Sequence, residues 1–175
     1  MQKTVLFIFL NKTCFNGLYH VNFENKFNTP FNGKDKITLS NIINENNLNK
    51  IITFLKDHKN KISFFHNDYK KIIAQAQKND FIFLRPPYDS DTKTFNSYSI
   101  EIFDKDHQKE LCENLKAAQV RGVKWILTNH DTTLINFLYQ SFYLIKIPVD
   151  RFINYQRTNR KNYTYEMIIT NFNLN

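Results

Sequence analysis

The sequence predicts an α/β layer: a mostly parallel sheet covered by helices, with an antiparallel member near its end. Three observations carry this. Two short apolar runs, residues 81–84 (FIFL) and 123–128 (VKWILT), read as buried strands and stop abruptly at polar or proline-rich residues. Helical spacings of apolar residues lie between and after them, so strand and helix alternate, as they do where helices cover a sheet. Residues 142–149 and 163–170 are two further strand-like runs separated by a loop rather than a helix, which suits an antiparallel closing pair.

At 175 residues the chain suits one globular domain. A hydrophobic share of 42%, with 17 Phe and 9 Tyr, is enough to build a core. The longest purely apolar run, residues 5–10, is far shorter than the roughly 20 residues that cross a bilayer, and no cleavable signal pattern opens the chain. Neither a membrane span nor secretion is expected. Cys14 and Cys112 are far apart and lack a CxxC partner, so no disulfide framework, zinc site or other metal site is indicated, and a reducing cytoplasm is the expected location. The formal charge of +8 favours a polyanionic partner by counterion release, although a solvated surface rich in Lys and Asn accounts for it equally well. With only Gly17, Gly33 and Gly122, the chain has no GxGxxG and no P-loop. A cofactor loop of that kind is expected outside this chain.

In chain order, residues 5–10 (VLFIFL) fit either a strand or one side of a helix, and so short a run does not decide between them. Residues 14–32 alternate apolar and polar types around Asn25-Lys26 and carry Asn16-Gly17, which predicts a turn followed by a β-hairpin. Ser40 can cap a helix, and Leu48, Ile51, Ile52 and Leu55 further on have helical spacing. Residues 61–66 (KISFFH) form a short strand candidate, followed by a basic helix over about 69–77. The strand at 81–84 ends at Pro86-Pro87, which cannot continue it. Asp106 can cap a helix with Leu111, Leu115 and Ala118 on one face, and Gly122 stands where a helix C-terminal glycine belongs. The strand from Val123 runs into Asn129-His130-Asp131, with Asp131 placed to cap a helix carrying Leu134, Ile135 and Leu138.

In open α/β sheets ligands sit beyond the carboxyl ends of the strands. Arg85-Pro86-Pro87-Tyr88 and Asn129-His130-Asp131 occupy those positions. A Pro-Pro-Tyr turn fixes backbone carbonyls in one direction and offers an aromatic face on which a base can stack; a proline-stopped strand with Tyr88 as filler is the plainer alternative. His130 has no companion at metal-ligand spacing. Arg151, Arg157, Arg160 and Lys161 lie in a basic loop that suits phosphate contacts or plain solvation.

Taken together and in this order, FIFLNKTCFNGLYHVN with FNTPF, then FIFLRPPY, then GVKWILTNHDT resemble the Dam-type DNA adenine-N6 methyltransferases over nearly the whole chain. The resemblance implies a partial Rossmann-like methyltransferase sheet with a helical and hairpin target-recognition region. It implies that residues 5–10 are helical, that residues 1–60 form the target-recognition region, and that 61–175 form the C-terminal part of the catalytic domain. The implied reaction moves a methyl group from S-adenosylmethionine to N6 of a flipped adenine in double-stranded DNA, as in restriction-modification systems. Pro86, Pro87 and Tyr88 match the base-holding turn; Phe15 and Asn16 match positions at the space left by the base; Leu18, His20 and Pro30 match base-reading positions; Asp68 and Tyr69 match a pair beside the methyl donor, although Asp68 also suits a helix cap. Phe15 and Leu18 also suit ordinary core positions.

The chain departs from the family pattern in three places. The family turn is Asp-Pro-Pro-Tyr, and Arg85 stands at the Asp position. Asp accepts a hydrogen bond from the adenine amino group; Arg only donates, and its charge opposes the sulfonium of the donor. His20 stands where Arg commonly forks onto guanine, and a neutral imidazole cannot reproduce that fork. The family's N-terminal lysine- and glycine-containing segment and glycine-rich first loop have no counterpart here. The expectation is an N-terminally truncated or split member, impaired alone, whose other half is either separately encoded or lost. A noncatalytic DNA-binding remnant is the alternative.

Overall fold

The structure is a computed structural model that describes residues 2–22, 24, 26–32, 43–90, 103–149 and 164–174. The described residues divide into two compact units, one up to His66 and the other from Asn67 onward.

The first unit opens with helix α1, Gln2–Thr13, so the helix implied by the resemblance is present. The Thr13 hydroxyl turns back onto the Phe9 carbonyl at 2.8 Å and closes its last turn. A single 3-10 turn follows, Phe15–Gly17, in which Asn16 takes φ 53° and Gly17 φ 67°. Left-handed backbone is cheap for glycine and tolerable for Asn, which explains the Asn-Gly pair. The chain then doubles back as an antiparallel arm, bridged at Cys14 with Phe31 and at Val21 with Phe27. The predicted hairpin is thus a pair of isolated bridges among the described residues rather than a continuous ladder. Helix α2, Glu45–Asp57, is capped by Asn44, whose side chain accepts from the Asn47 N–H at 3.1 Å; Ser40 lies outside the described residues.

Residues 61–66 do not form the predicted strand. Phe64 and Phe65 stand 80% and 69% exposed. An extended run becomes a strand only when a neighbour takes up its N–H and C=O groups, and none of the described strands pairs with this one.

The second unit holds helix α3, Tyr69–Gln75; strand β1, Phe81–Leu84; helix α4, Lys105–Val120; strand β2, Lys124–His130; helix α5, Thr133–Tyr139; and strands β3, Tyr143–Val149, and β4, Thr164–Thr170. The sheet order is β1-β2-β4-β3. β1 runs parallel to β2, and β4 lies antiparallel between β2 and β3. Three strands therefore point one way and β4 opposes them, as the sequence predicts for a mixed sheet with an antiparallel member near the end.

Alternation along β2 buries Trp125, Leu127 and Asn129 on one face, and Met167 and Ile169 of β4 lie on the same covered side. Leu111, Cys112, Leu115 and Ala118 of α4, Ile135 and Tyr139 of α5, and Ile73 of α3 complete that core. Burial pushes the Cys112 thiol up to about 11, so it behaves as a packing residue. β1 differs from the buried strand that its sequence predicts. It pairs with β2 alone among the described residues, and Phe81 and Phe83 are 55% and 63% exposed.

Two predicted caps shift. α4 is capped by Asp104, whose carboxylate accepts from the N–H groups of Asp106 and His107, both at 3.0 Å. Those donors hold the Asp104 carboxyl below its ordinary value. Asp106 falls inside the first turn, where it pairs with Lys109 at 2.8 Å. α5 is capped by Thr132, which accepts from the Ile135 N–H at 3.3 Å; Asp131 is one residue too early. Gly122 does end α4, with φ 83° and its N–H on the Gln119 carbonyl at 2.8 Å.

Candidate functional site

β1 stops at Leu84 because Pro86 and Pro87 offer no N–H for a ladder. The turn delivers Tyr88 to the ends of the neighbouring strands. The Tyr88 hydroxyl donates to Thr128 Oγ1 on β2 at 2.9 Å and lies 3.4 Å from Glu166 Oε2 on β4. Its half-buried ring meets the edge of His130, with centroids 4.8 Å apart and planes at 82°. The guanidinium carbon of Arg85 stands 5.7 Å from the Tyr88 ring centroid, a cation–π distance.

Buried side chains hold the backbone on both sides of this tyrosine. Gln108 Nε2 donates to the Pro87 carbonyl at 2.8 Å. Asn129 Oδ1 accepts from the Asp89 N–H at 2.8 Å, and its amide donates to Gln108 Oε1 at 3.2 Å. His130 Nδ1 donates to the Asp89 carbonyl at 2.7 Å. The buried Asp89 carboxylate accepts from the Thr132 hydroxyl at 2.5 Å, which ties the turn to the start of α5. Asp131 faces outward to Lys146 at 2.8 Å and Asn136 at 2.6 Å, and these donors hold its carboxyl below the ordinary range.

The structure therefore brings Arg85, Pro86, Pro87 and Tyr88 together with Asn129, His130 and Asp131, as the order of strands implies. Sequence reasoning missed Gln108, Asp89, Thr128 and Glu166. Gln108 had a readable signal: it sits three residues before Leu111 and four before Cys112, on the apolar face of α4, where an unpaired amide would be costly. Asn129 had another, since alternation from Trp125 and Leu127 places it inside. Tyr88 meets Glu166 across 78 residues and Asp89 meets Thr132 across 43, which no local pattern reveals.

The positions matched to DNA reading lie in the first unit. Phe15, Asn16 and Leu18 are exposed around the 3-10 turn, so neither Phe15 nor Leu18 is a core residue. Pro30 is exposed, and its carbonyl accepts from the Phe15 N–H at 2.8 Å. His20 is half-buried beside Asn28. Arg151, Arg157, Arg160 and Lys161 lie outside the described residues.

Asp68 and Tyr69 open α3. The Asp68 carboxylate caps that helix through the Lys70 N–H at 2.8 Å. Tyr69 packs edge-on to Phe103 at 6.0 Å, and its buried hydroxyl has no partner among the described residues. With Asp68 engaged as a cap, a fixed cation at Arg85 and no glycine anywhere between residues 34 and 121, the described residues do not fit S-adenosylmethionine. Among the described residues no cluster could hold a metal ion, and no helix is long and apolar enough to cross a membrane.

Comparison with known proteins gives the family. The family model for D12 class N6 adenine-specific DNA methyltransferase matches residues 1–152. The Type II methyltransferase M.MjaIII of Methanocaldococcus jannaschii is 32% identical over 175 residues, 98% of this chain and 58% of that protein. The Type II methyltransferase M1.LlaDCHI of Lactococcus lactis subsp. cremoris is 31% identical over 174 residues, 98% of this chain and 59% of that protein. The DNA adenine methylase of Escherichia coli strain K12 is 28% identical over 162 residues, covering 91% and 55%. The chain thus spans somewhat over half the length of these relatives. A mixed sheet that ends in a Pro-Pro-Tyr turn, and a family match across most of the sequence, place this chain in the D12 class of N6 adenine-specific DNA methyltransferases.

Proposed function

We propose that this chain supplies the DNA-reading and base-holding parts of an adenine-N6 DNA methyltransferase. In this reading residues 1–60 contact the target sequence and residues 61–175 hold the flipped adenine. The observation that carries it is the placement of Tyr88: a proline-locked turn presents its ring while the Thr128 and Glu166 contacts fix its hydroxyl. A ring held at its far end loses little freedom when a base stacks on it. The complete reaction uses S-adenosylmethionine as methyl source, with residues that hold this donor supplied by polypeptide outside these 175 residues. A cytoplasmic location goes with a DNA substrate.

Arg85 makes the chain impaired alone. It offers no acceptor to the adenine amino group, and its guanidinium sits beside the ring that the base would use. The same residue favours a second reading, in which the chain is a noncatalytic DNA-binding remnant.

The test mixes the chain with a supplied glycine-rich N-terminal half, DNA and labelled S-adenosylmethionine, with and without Arg85→Asp. Losing a positioned catalytic group typically costs about 10²- to 10³-fold, so Arg85→Asp is expected to raise methylation by about that factor. Equal methylation by both versions would remove the argument from Arg85. Sequence-specific DNA binding with no methylation by either would favour the remnant.

A further inference from the structure

The antiparallel arm of the first unit is organised by asparagine side chains. Asn22 Oδ1 accepts from the N–H groups of Glu24 at 3.0 Å and Lys26 at 2.9 Å, which closes the tip. Lower down, the Asn28 N–H donates to the His20 carbonyl at 3.2 Å, and Asn28 Oδ1 meets His20 Nδ1 at 2.7 Å. The Thr29 hydroxyl donates to the Leu18 carbonyl at 2.7 Å one step further on. His20 is therefore joined to its cross-strand neighbour through both backbone and ring.

The ring contact decides a polarity. An amide oxygen only accepts, so His20 Nδ1 must carry the proton. A neutral imidazole has one ring proton, and Nε2 is left with a lone pair. Nε2 makes no hydrogen bond among the described residues. In the major groove, guanine presents only the acceptors N7 and O6, whereas adenine N6 and cytosine N4 present amino hydrogens. A lone pair opposes the first and matches the second.

We infer that His20, oriented by Asn28, reads a major-groove amino group and selects adenine or cytosine at its base position. This rests on the proposed role of the arm in DNA reading, and it reverses the guanine preference that an arginine would give there. Asn28 is then a positioning residue that acts by fixing the tautomer.

The experiment selects binders from randomised duplexes with the full chain, comparing wild type, His20→Arg and Asn28→Leu. Wild type is expected to enrich adenine or cytosine at one position; His20→Arg should move that position to guanine, and Asn28→Leu should relax it. A second arm needs no variant: in the selected duplex, purine replaces adenine, or 2-pyrimidinone replaces cytosine, which deletes the amino group. One neutral hydrogen bond corresponds to about a 2- to 12-fold loss in affinity. A wild-type preference for guanine at the position that responds to His20→Arg, or affinity indifferent to the missing amino group, would overturn the inference while leaving the arm as a DNA reader. Failure of the wild type to enrich any sequence would overturn the reading on which it rests.

Discussion

Gln108 on α4 and Asn129 on β2, neither with any solvent exposure, bond to each other at 3.2 Å and between them hold the backbone on either side of Tyr88. Each amide uses its remaining polar atom on the turn: Gln108 donates to Pro87, and Asn129 accepts from Asp89. Buried amides are tolerable only when so satisfied, because a lost partner leaves the full desolvation cost behind. The stability of the core and the placement of the candidate base-holding ring thus depend on the same two side chains.

Gln108→Leu removes both contacts at little change in volume. It should destabilise the chain by about 1–3 kcal/mol, read as a lower urea midpoint. Gln108→Glu keeps an acceptor for Asn129 but offers no donor to Pro87 when ionised, and should cost at least as much at neutral pH. Stability unchanged in both variants would mean that the turn is held by other means.

Arg85→Ala removes the guanidinium from beside Tyr88. At a partly exposed site a cation–π contact contributes about 0.5–1 kcal/mol, so a small loss of stability is expected. The Tyr88 ring resonances should shift in the same variant, because the guanidinium beside the ring has gone. Resonances that stay fixed would place Arg85 away from the ring in solution.

Asp131 links stability to pH. Hydrogen bonds from Lys146 and Asn136 lower its folded pKa below the ordinary value of 3.8. A depressed carboxylate stabilises the fold above its unfolded pKa, and that contribution fades as pH falls through the lower folded value. Asp131→Asn should therefore be less stable than wild type from neutral pH down to about 4, with the gap closing in more acid solution. A gap that is constant with pH would rule out the ion pair as its source.

Core aromatics give a contrast between volume and polarity. Trp125 packs edge-on to Phe142 at 4.8 Å and Tyr139 at 6.2 Å, all within one cluster. Trp125→Ala should cost about 3–5 kcal/mol by leaving a cavity. The Tyr139 hydroxyl is buried with no hydrogen-bond partner among the described residues, and burial pushes its pKa upward. Tyr139→Phe keeps the packing and removes the stranded hydroxyl, so thermal unfolding should show equal or higher stability.

The mixed sheet and its helices were legible because apolar spacing is a local property. Gly122 was legible too, since a helix end that needs positive φ favours glycine. The caps were less so: Asp104 and Asp106 are both plausible from sequence, and the extended backbone at Asp104 decides in its favour. Residues 61–66 and β1 show the larger gap. Their apolar character is visible in sequence, but whether a strand forms or is buried depends on which neighbour accepts its hydrogen bonds.

By itself the sequence determined the family and the Pro-Pro-Tyr turn with Arg85 ahead of it, because residue types and short-range order carry these. Only the tertiary structure decided that Thr128 and Glu166 fix the Tyr88 hydroxyl, that Gln108 and Asn129 clamp its backbone, and that Asn28 meets the His20 ring. The physical reason is range. A hydrogen bond is satisfied by whatever atom folding brings within about 3 Å, and chain order alone does not specify that atom.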